Sequence, residues 1–340
     1  MATDAPPLTS HGGDLAVAEA AFGRPPRGWL DLSTGVNAEA YPDICVSQES
    51  WHSLPQTGAM ESLLDAARRY YRVPEGLALA AAAGSQALLQ CLPGIVAGGR
   101  VAIVGPTYSE HDRAWRERGY EIRTVAEFSS AGAADIAVVV NPNNPDGRIV
   151  PPRDLAVFAS ALSAWRGLLV VDEAFADVAP NASILPHLSP ELPVIVLRSF
   201  GKFFGLAGLR LGFAAGPPAT IERLTQRLGP WAVSGPALEI GSRALNDGAW
   251  ISGALARLNR RRLDLDEVLA AAGLRVAGGT DLFRLVVTDD AASIYRRLGR
   301  AGVLVRAFAD QPCRLRFGVP GSPDELARLS AALAGPGDSQ

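Results

Sequence analysis

The chain is almost without lysine. Its 340 residues include 32 basic side chains, 31 of them arginine, and Lys202 is the exception. A guanidinium replaces an ammonium on most solvated surfaces. It does not replace a primary amine that must shed its proton and attack a carbonyl, because it is too basic and too delocalised. One position therefore retains that chemistry, within the mostly apolar run Ser199-Phe200-Gly201-Lys202-Phe203-Phe204-Gly205-Leu206. The same scarcity excludes other chemistry. A phosphate-binding P-loop needs Gly-Lys-Ser/Thr, whereas Phe203 follows Lys202.

Cysteine is also sparse. Cys45, Cys91 and Cys313 lie far apart and form no CxxC pair, which excludes a disulfide frame and a zinc site and implies a reducing compartment. No long hydrophobic run survives inspection: the stretch from Leu77 to Ala97 is broken by Ser85, Gln86, Gln90 and Pro93, so no membrane span is expected. The opening MATDAPPLTSHGGD has neither the basic region nor the apolar core of a signal peptide. A net charge of −3 gives no electrostatic case for nucleic acid or an anionic membrane. No GxGxxG follows a strand, and Ser199-x-x-Lys202 lacks the second lysine that the Lys-Thr-Gly element of penicillin-binding proteins requires. A cytoplasmic enzyme acting on a small molecule is the expectation.

Helical periodicity covers residues 13–22 and 57–72, with Thr57 as N-cap and Met60, Leu63, Leu64 and Ala67 on one face. From residue 84 helices and strands alternate: helix 84–96, strand 100–104, helix 109–118, strands 121–125 and 136–140, helix 152–165, and strands 167–172, 193–198 and 209–214. The runs Val138-Val139-Val140 and Leu168-Leu169-Val170-Val171 read as strands buried on both faces. This predicts an α/β domain with a mainly parallel sheet and right-handed crossovers. After about residue 248 a long Arg-rich helix (249–272), strands at 281–287, 303–306 and 314–318, and helices at 290–300 and 323–334 predict a smaller α+β domain, with loose ends at Met1–Pro7 and Pro336–Gln340.

Several residues are placed for chemistry. Asp172, in Val170-Val171-Asp172-Glu173-Ala174, ends a buried strand, where open α/β sheets bind ligands. It serves either as a helix cap or metal ligand, or as the partner of a pyridinium nitrogen whose ring then becomes an electron sink. Gly84-Ser85-Gln86 falls where a loop enters a helix, so free N–H groups and the positive helix end take phosphate without a lysine; ordinary capping explains it equally. Ser199 and Arg210, on either side of Lys202, complete a phosphate cup, and the apolar neighbours Leu209 and Leu211 argue against a surface arginine. Asn141-Pro142-Asn143-Asn144-Pro145-Asp146-Gly147 is a turn, or a turn that presents an amide to a phenolate oxygen. Tyr108, after Gly105-Pro106-Thr107, is a stacking surface for an aromatic cofactor or a half-buried core ring. Arg314-Leu315-Arg316 offers a bidentate grip on a carboxylate, and strand register leaves open which arginine supplies it.

In their order along the chain, Gly-Ser-Gln, Asn-Asn-Pro-x-Gly, Asp-Glu-Ala, Ser-x-x-Lys with Gly-Leu-Ala-Gly-Leu-Arg, and the late Leu-Arg resemble the class I/II aminotransferases of the fold-type I pyridoxal-phosphate enzymes. The resemblance implies a three-layer αβα large domain with a mainly parallel sheet plus a smaller α+β domain. Residues 1–40 would form an N-terminal arm and part of the small domain, 41–248 the large cofactor-binding domain and 249–336 the small C-terminal domain. It implies pyridoxal 5'-phosphate as cofactor, no metal, and a homodimer. Lys202 would form the internal aldimine, Asp172 pair with the pyridine nitrogen, Asn144 hold the phenolate oxygen and Tyr108 stack on the ring. Gly84, Ser85, Gln86, Ser199 and Arg210 would bind the cofactor phosphate, and Arg316 the substrate carboxylate. Two departures stand out: Phe175 where many relatives have Tyr, and Leu54-Pro55 where many have Tyr-Pro.

His11-Gly12-Gly13-Asp14, with Trp29-Leu30-Asp31-Leu32-Ser33-Thr34-Gly35-Val36-Asn37, resembles the threonine-phosphate decarboxylases of cobalamin synthesis. In them the His-Gly-Gly segment and the Asn help hold the substrate phosphate; the commonly following Pro is Ala38 here. The resemblance implies decarboxylation of O-phospho-L-threonine to an aminopropanol phosphate, with His11, Gly12, Gly13 and Asn37 at the substrate. The alternatives are an aminotransferase of the histidinol-phosphate type, whose members usually lack the His-Gly-Gly opening, and a non-catalytic cofactor-binding regulator. Such regulators usually carry a DNA-binding segment, for which the ten residues before His11 leave no room.

Overall fold

The computed structural model describes residues 11–132 and 134–335. The ends expected to be loose, Met1–Pro7 and Pro336–Gln340, lie outside the described residues. The chain divides into two compact units, one formed by residues 1–39 with 252–340 and the other by residues 40–251.

The chain starts in the smaller unit with α1 (Leu15–Phe22), capped by the Asp14 carboxylate on Val17 N, and β1 (Leu30–Leu32). The larger unit follows: α2 (Gln48–His52), α3 (Thr57–Tyr70), β2 (Ala78–Ala82), α4 (Ser85–Cys91), β3 (Arg100–Val104), α5 (Ser109–Arg116), β4 (Glu121–Val125), β5 (Ile136–Val140), α6 (Pro152–Ala164) and β6 (Leu168–Asp172). It continues with β7 (Val194–Ser199), α7 (Phe200–Phe203), β8 (Gly212–Gly216), α8 (Pro218–Leu228) and α9 (Gly235–Asn246). Helix α10 (Gly248–Ala271) carries the chain back into the smaller unit, which adds β9 (Val276–Thr280), β10 (Phe283–Val287), α11 (Ala291–Arg300), β11 (Val303–Ala307), β12 (Arg314–Gly318) and α12 (Pro323–Ala334).

The larger sheet has the order β2-β8-β7-β6-β5-β3-β4, and β8 alone runs antiparallel to its neighbours. Side chains alternate between faces along a strand. Val170 packs in one cluster with Leu88 and Leu89 of α4, Trp115 of α5 and Leu224 of α8, while Leu169 and Val171, on the opposite face, are equally buried. Burial of both faces is why these strands read as unbroken apolar runs.

The smaller sheet has the order β1-β11-β12-β10-β9, with β1 parallel to β11 and the other pairs antiparallel. Its core joins Leu30 and Leu32 of β1 to Leu265 and Leu269 of α10, Leu298 of α11, Leu315 and Phe317 of β12 and Leu329 of α12.

Some local expectations differ from the structure. Thr57 is the first helical residue of α3; Gln56 occupies the cap position without a side-chain bond. The helix starting at residue 85 stops at Cys91 and tightens into a 3₁₀ turn at Leu92–Gly94, where Pro93 is accommodated. The strand expected from 209 begins at Gly212, because Ala207–Leu209 forms a 3₁₀ turn and Arg210 takes left-handed dihedrals (φ 55, ψ 61) that interrupt extended backbone. Helices α8 and α9 lay in a stretch with no assignment, although both begin with proline in the first turn, a standard start signal.

Candidate active site

Apart from β8, all strands of the larger sheet point the same way, so their C-terminal ends share one edge. That edge gathers residues far apart in sequence. Gly84 and Ser85 follow β2, Tyr108 follows β3, the Asn141–Gly147 turn follows β5, Asp172 ends β6, and Ser199 ends β7 just before Lys202 in α7. Because β8 is reversed, it starts at this edge, two residues after Arg210.

A cradle lies where β2, β8 and β7 meet. Gly212 pairs with Ala82 on one side and Ser199 on the other. A Cβ at Gly212 would overlap the backbone N of Ser85, so glycine there lets the α4 entry loop rest on β8. A Cβ at Gly84 (φ +89) would stand 2.6 Å from Nη2 of Arg210, so the guanidinium reaches over the same loop. Arg210 Nη1 donates to the Ala207 carbonyl at 3.1 Å. Contrary to the expectation drawn from its apolar neighbours, Arg210 is exposed, because its left-handed backbone turns it out of the strand. Helix-start N–H groups, the hydroxyls of Ser85 and Ser199 and a guanidinium form a donor set for a phosphate monoester.

The carboxylate of Asp172 is buried, and each oxygen has one hydrogen-bond partner. Its Oδ1 accepts from Ala174 N at 3.0 Å, and its Oδ2 lies 2.9 Å from His111 Nε2. His111 has no exposed surface, and among the described residues its Nδ1 has no hydrogen-bond partner. The sequence reading passed over His111; its signal was position, one helical turn beyond Tyr108 at the start of α5. The hydroxyl of Tyr108 donates to Gln86 Oε1 at 3.1 Å, and Gln86 Nε2 donates to the buried Glu110 carboxylate at 3.1 Å. The side chain of Gln86 thus orients Tyr108.

The turn after β5 holds three asparagines with separate roles. Asn141 is consumed by backbone: its amide donates to the carbonyls of Val150 and Ala182 and accepts from Val150 N. Asn143 donates to Pro106 O and Asp146 Oδ1 and accepts from Thr107 Oγ1. Both are buried, whereas Asn144 is only partly covered. Lys202 is half-buried, with Nζ 5.6 Å from the centroid of the Phe175 ring.

Directly behind lies a charge network. Alternation turns Glu173 and Arg198 away from Asp172 and Ser199. Arg198 pairs with Glu173 at 2.8 Å and Asp177 at 3.1 Å and lies over the Tyr71 ring, while Ser183 Oγ and Ile184 N donate to Glu173. Burial pushes the Glu173 carboxyl above its ordinary range despite Arg198. The two carboxylates hold Arg198 above its usual value even though burial opposes its charge.

The remaining expected residues belong to the smaller unit. His11 is exposed, Gly12 partly covered, Gly13 exposed with φ +89, and Asn37 buried, its Oδ1 accepting from Glu39 N. Arg316 is buried in β12. Its Nη2 donates to Ser33 O at 2.8 Å, and its guanidinium stands 5.0 Å from the Phe283 ring centroid. Arg306 of β11 faces it across the ladder, a basic neighbour the sequence reading missed. Burial and the Arg306 charge pull the Arg316 guanidinium down to about 10, against the pull of Asp31. Arg314, partly exposed, opens the strand opposite Val287.

A cradle of hydrogen-bond donors, a half-buried amine and a buried carboxylate share one sheet edge, the groups that an enzyme working through a covalently held carbonyl compound requires. Residues 30–333 match the family model for aminotransferase class I and II, and the chain belongs to that family. It is 40% identical over 331 residues to a threonine-phosphate decarboxylase of Pseudomonas aeruginosa, covering 96% of this chain and 98% of the relative. It is 43% identical over 328 residues to one of a Sinorhizobium species, covering 95% and 97%. Among solved structures, a histidinol-phosphate aminotransferase from Sinorhizobium meliloti in complex with pyridoxal-5'-phosphate superposes with a TM-score of 0.79 at 23% identity, over 94% of this chain and 93% of that one. The fold is that of the fold-type I enzymes.

Proposed function

We propose that this chain uses pyridoxal 5'-phosphate to decarboxylate O-phospho-L-threonine, giving CO₂ and an aminopropanol phosphate for cobalamin synthesis. The observation that carries the reading is likeness to two threonine-phosphate decarboxylases, at 40% and 43% identity, along nearly the whole chain. The residues fit the cofactor: the Gly84 and Gly212 positions open a donor-lined cradle, and the Asp172 carboxylate is buried with His111 at its back.

When bound, pyridoxal phosphate supplies an aldehyde for an amine and a ring that accepts the electron pair released at Cα. Ser85, Ser199 and Arg210 hold its phosphate, with Gly84 and the Gln86 backbone in the same loop. Asp172 holds the charge of the ring nitrogen, and His111 keeps Asp172 oriented. Tyr108 offers its ring as a stacking surface, its hydroxyl being committed to Gln86. Asn144 is the asparagine of its turn that we assign to the phenolate oxygen. Arg316 holds the substrate carboxylate, with Arg306 and Arg314 contributing positive charge beside it, and His11, Gly12, Gly13 and Asn37 take the substrate phosphate. Held at both anionic ends, the substrate would be restricted in rotation about its Cα bonds; loss of CO₂ would leave an electron pair for the bound ring to take up, and Lys202 would supply the proton that Cα then needs.

We further propose a cytoplasmic homodimer. Ile44, Trp51 and Leu54 are exposed in the larger unit, and Leu54 lines a cavity of about 480 Å³ with Pro55, Leu238 and Arg243. Among the described residues no helix is long and apolar enough to cross a membrane. Sedimentation of the purified protein tests the dimer.

Mass spectrometry of products from phosphothreonine, with and without 2-oxoglutarate, tests the reaction. CO₂ and aminopropanol phosphate without glutamate are expected. Glutamate formed without CO₂ would replace the decarboxylase with a transaminase.

A further inference from the structure

Ser33 uses every polar atom it has, and its partners come from three separated stretches of chain. It is 2% exposed. Its N and Oγ both donate to Asp31 Oδ1, at 2.8 and 2.5 Å. With its proton committed to Asp31, Oγ accepts from Gly13 N at 2.8 Å. Its carbonyl accepts from Arg316 Nη2 at 2.8 Å. The contact with the N-terminal segment is also steric, since a Cβ at Gly12 would overlap the Ser33 carbonyl and stand 2.9 Å from its Oγ. Asn37 lies four residues further along the same segment, which is pinned by Glu39 to Arg257 and Arg261 at 2.8 Å each.

We propose that Ser33 is a positioning residue that sets the span between the His11-Gly12-Gly13 segment and the Arg316 guanidinium. The proposal rests on the reading above, in which that segment takes the substrate phosphate and Arg316 its carboxylate. The two anions of a phosphorylated amino acid are a fixed number of bonds apart. Two anchors referenced to one buried residue measure that length. They admit a substrate of the right span and fix the rotation about its Cα bonds, and a misplacement of about 1 Å costs on the order of 10²-fold in rate. Asp31 belongs to the device, because it keeps the Ser33 hydroxyl turned so that its lone pair faces Gly13. The carboxylate also offsets the like-charge pressure of Arg306 on Arg316.

The test pairs a function-independent readout with a kinetic one. In the protein without substrate, Ser33→Ala should speed hydrogen exchange of amides 12–17 by roughly tenfold, the loss of one hydrogen bond. Gly12→Ala, whose Cβ would press on the Ser33 carbonyl, should release the same amides while leaving the Ser33–Asp31 contacts intact. With phosphothreonine, both variants should raise KM by roughly tenfold, and neither should add a further loss on a His11→Ala background. A residue that only stabilised the unit would lower the melting temperature and multiply independently with His11→Ala. Unchanged exchange in Ser33→Ala overturns the tether. Multiplicative kinetics overturn the positioning role even if exchange rises. A wild-type protein inert toward phosphothreonine overturns the functional reading and the substrate half of this proposal, while the exchange comparison still decides the tether.

Discussion

The two units build their polar sites by opposite means. In the larger unit the candidate residues sit at or just beyond the C-terminal edge of a mostly parallel sheet, and each segment has a short signature of its own. In the smaller unit the polar groups are backbone and side chains of a mixed sheet, and they meet only because β1 pairs with β11 and β11 with β12, which brings Ser33 to Arg316 across 283 residues of sequence. Parallel strands collect loops, whereas paired strands bring distant strand residues together. The first arrangement suits residues that do chemistry on a bound group, and the second suits a rigid gauge for a ligand's length.

This contrast is open to measurement. The largest effect belongs to the amine. Lys202→Ala should lower turnover by about 10³-fold or more, and borohydride should no longer fix pyridoxal phosphate to the peptide containing position 202. Wild-type turnover in that variant would remove the larger unit from the chemistry altogether. Next comes the network behind the site. Arg198→Met leaves Glu173 and Asp177 buried without their cation, and denaturant unfolding should show a loss of about 3–5 kcal/mol. A neutral outcome would mean that the carboxylates take up protons at little cost, and that the ends of β6 and β7 are fixed by backbone pairing alone.

A smaller effect should mark the other unit. Arg316→Lys loses the planar fork that grips a carboxylate, so KM for phosphothreonine should rise roughly tenfold with kcat less affected. A fall in kcat alone would move Arg316 from holding the substrate to a part in the transition state. The smallest effect is a pH dependence. The Arg316 guanidinium is drawn down to about 10, so the folded protein gives up that proton before the unfolded chain does. Its charge therefore opposes folding below that pH, and its contribution to stability improves as pH climbs from about 10 toward the ordinary arginine value. Affinity for a carboxylate runs the other way. Calorimetry should find phosphothreonine binding weakened a few-fold between about pH 8 and about pH 10.5. Constant affinity over that range would place the substrate carboxylate elsewhere.

The amino-acid sequence by itself determined the α/β alternation, the buried strands and the ordered motifs around a lone lysine, because each is local: unbroken apolar runs, glycine before a helix, an acid closing a strand. It did not show that Asn141 and Asn143 are taken up by the fold, since that depends on which backbone carbonyls lie within reach once Val150, Ala182 and Pro106 have come together. Nor did it single out His111 and Arg306, which have no motif of their own, or give Ser33 a role within the run to which it belongs. Their roles come from a carboxylate 61 residues away, a strand partner and a hydrogen bond to a distant arginine. Only the tertiary structure decided these, because strand register and helix placement set distances between residues that composition and spacing leave unrelated.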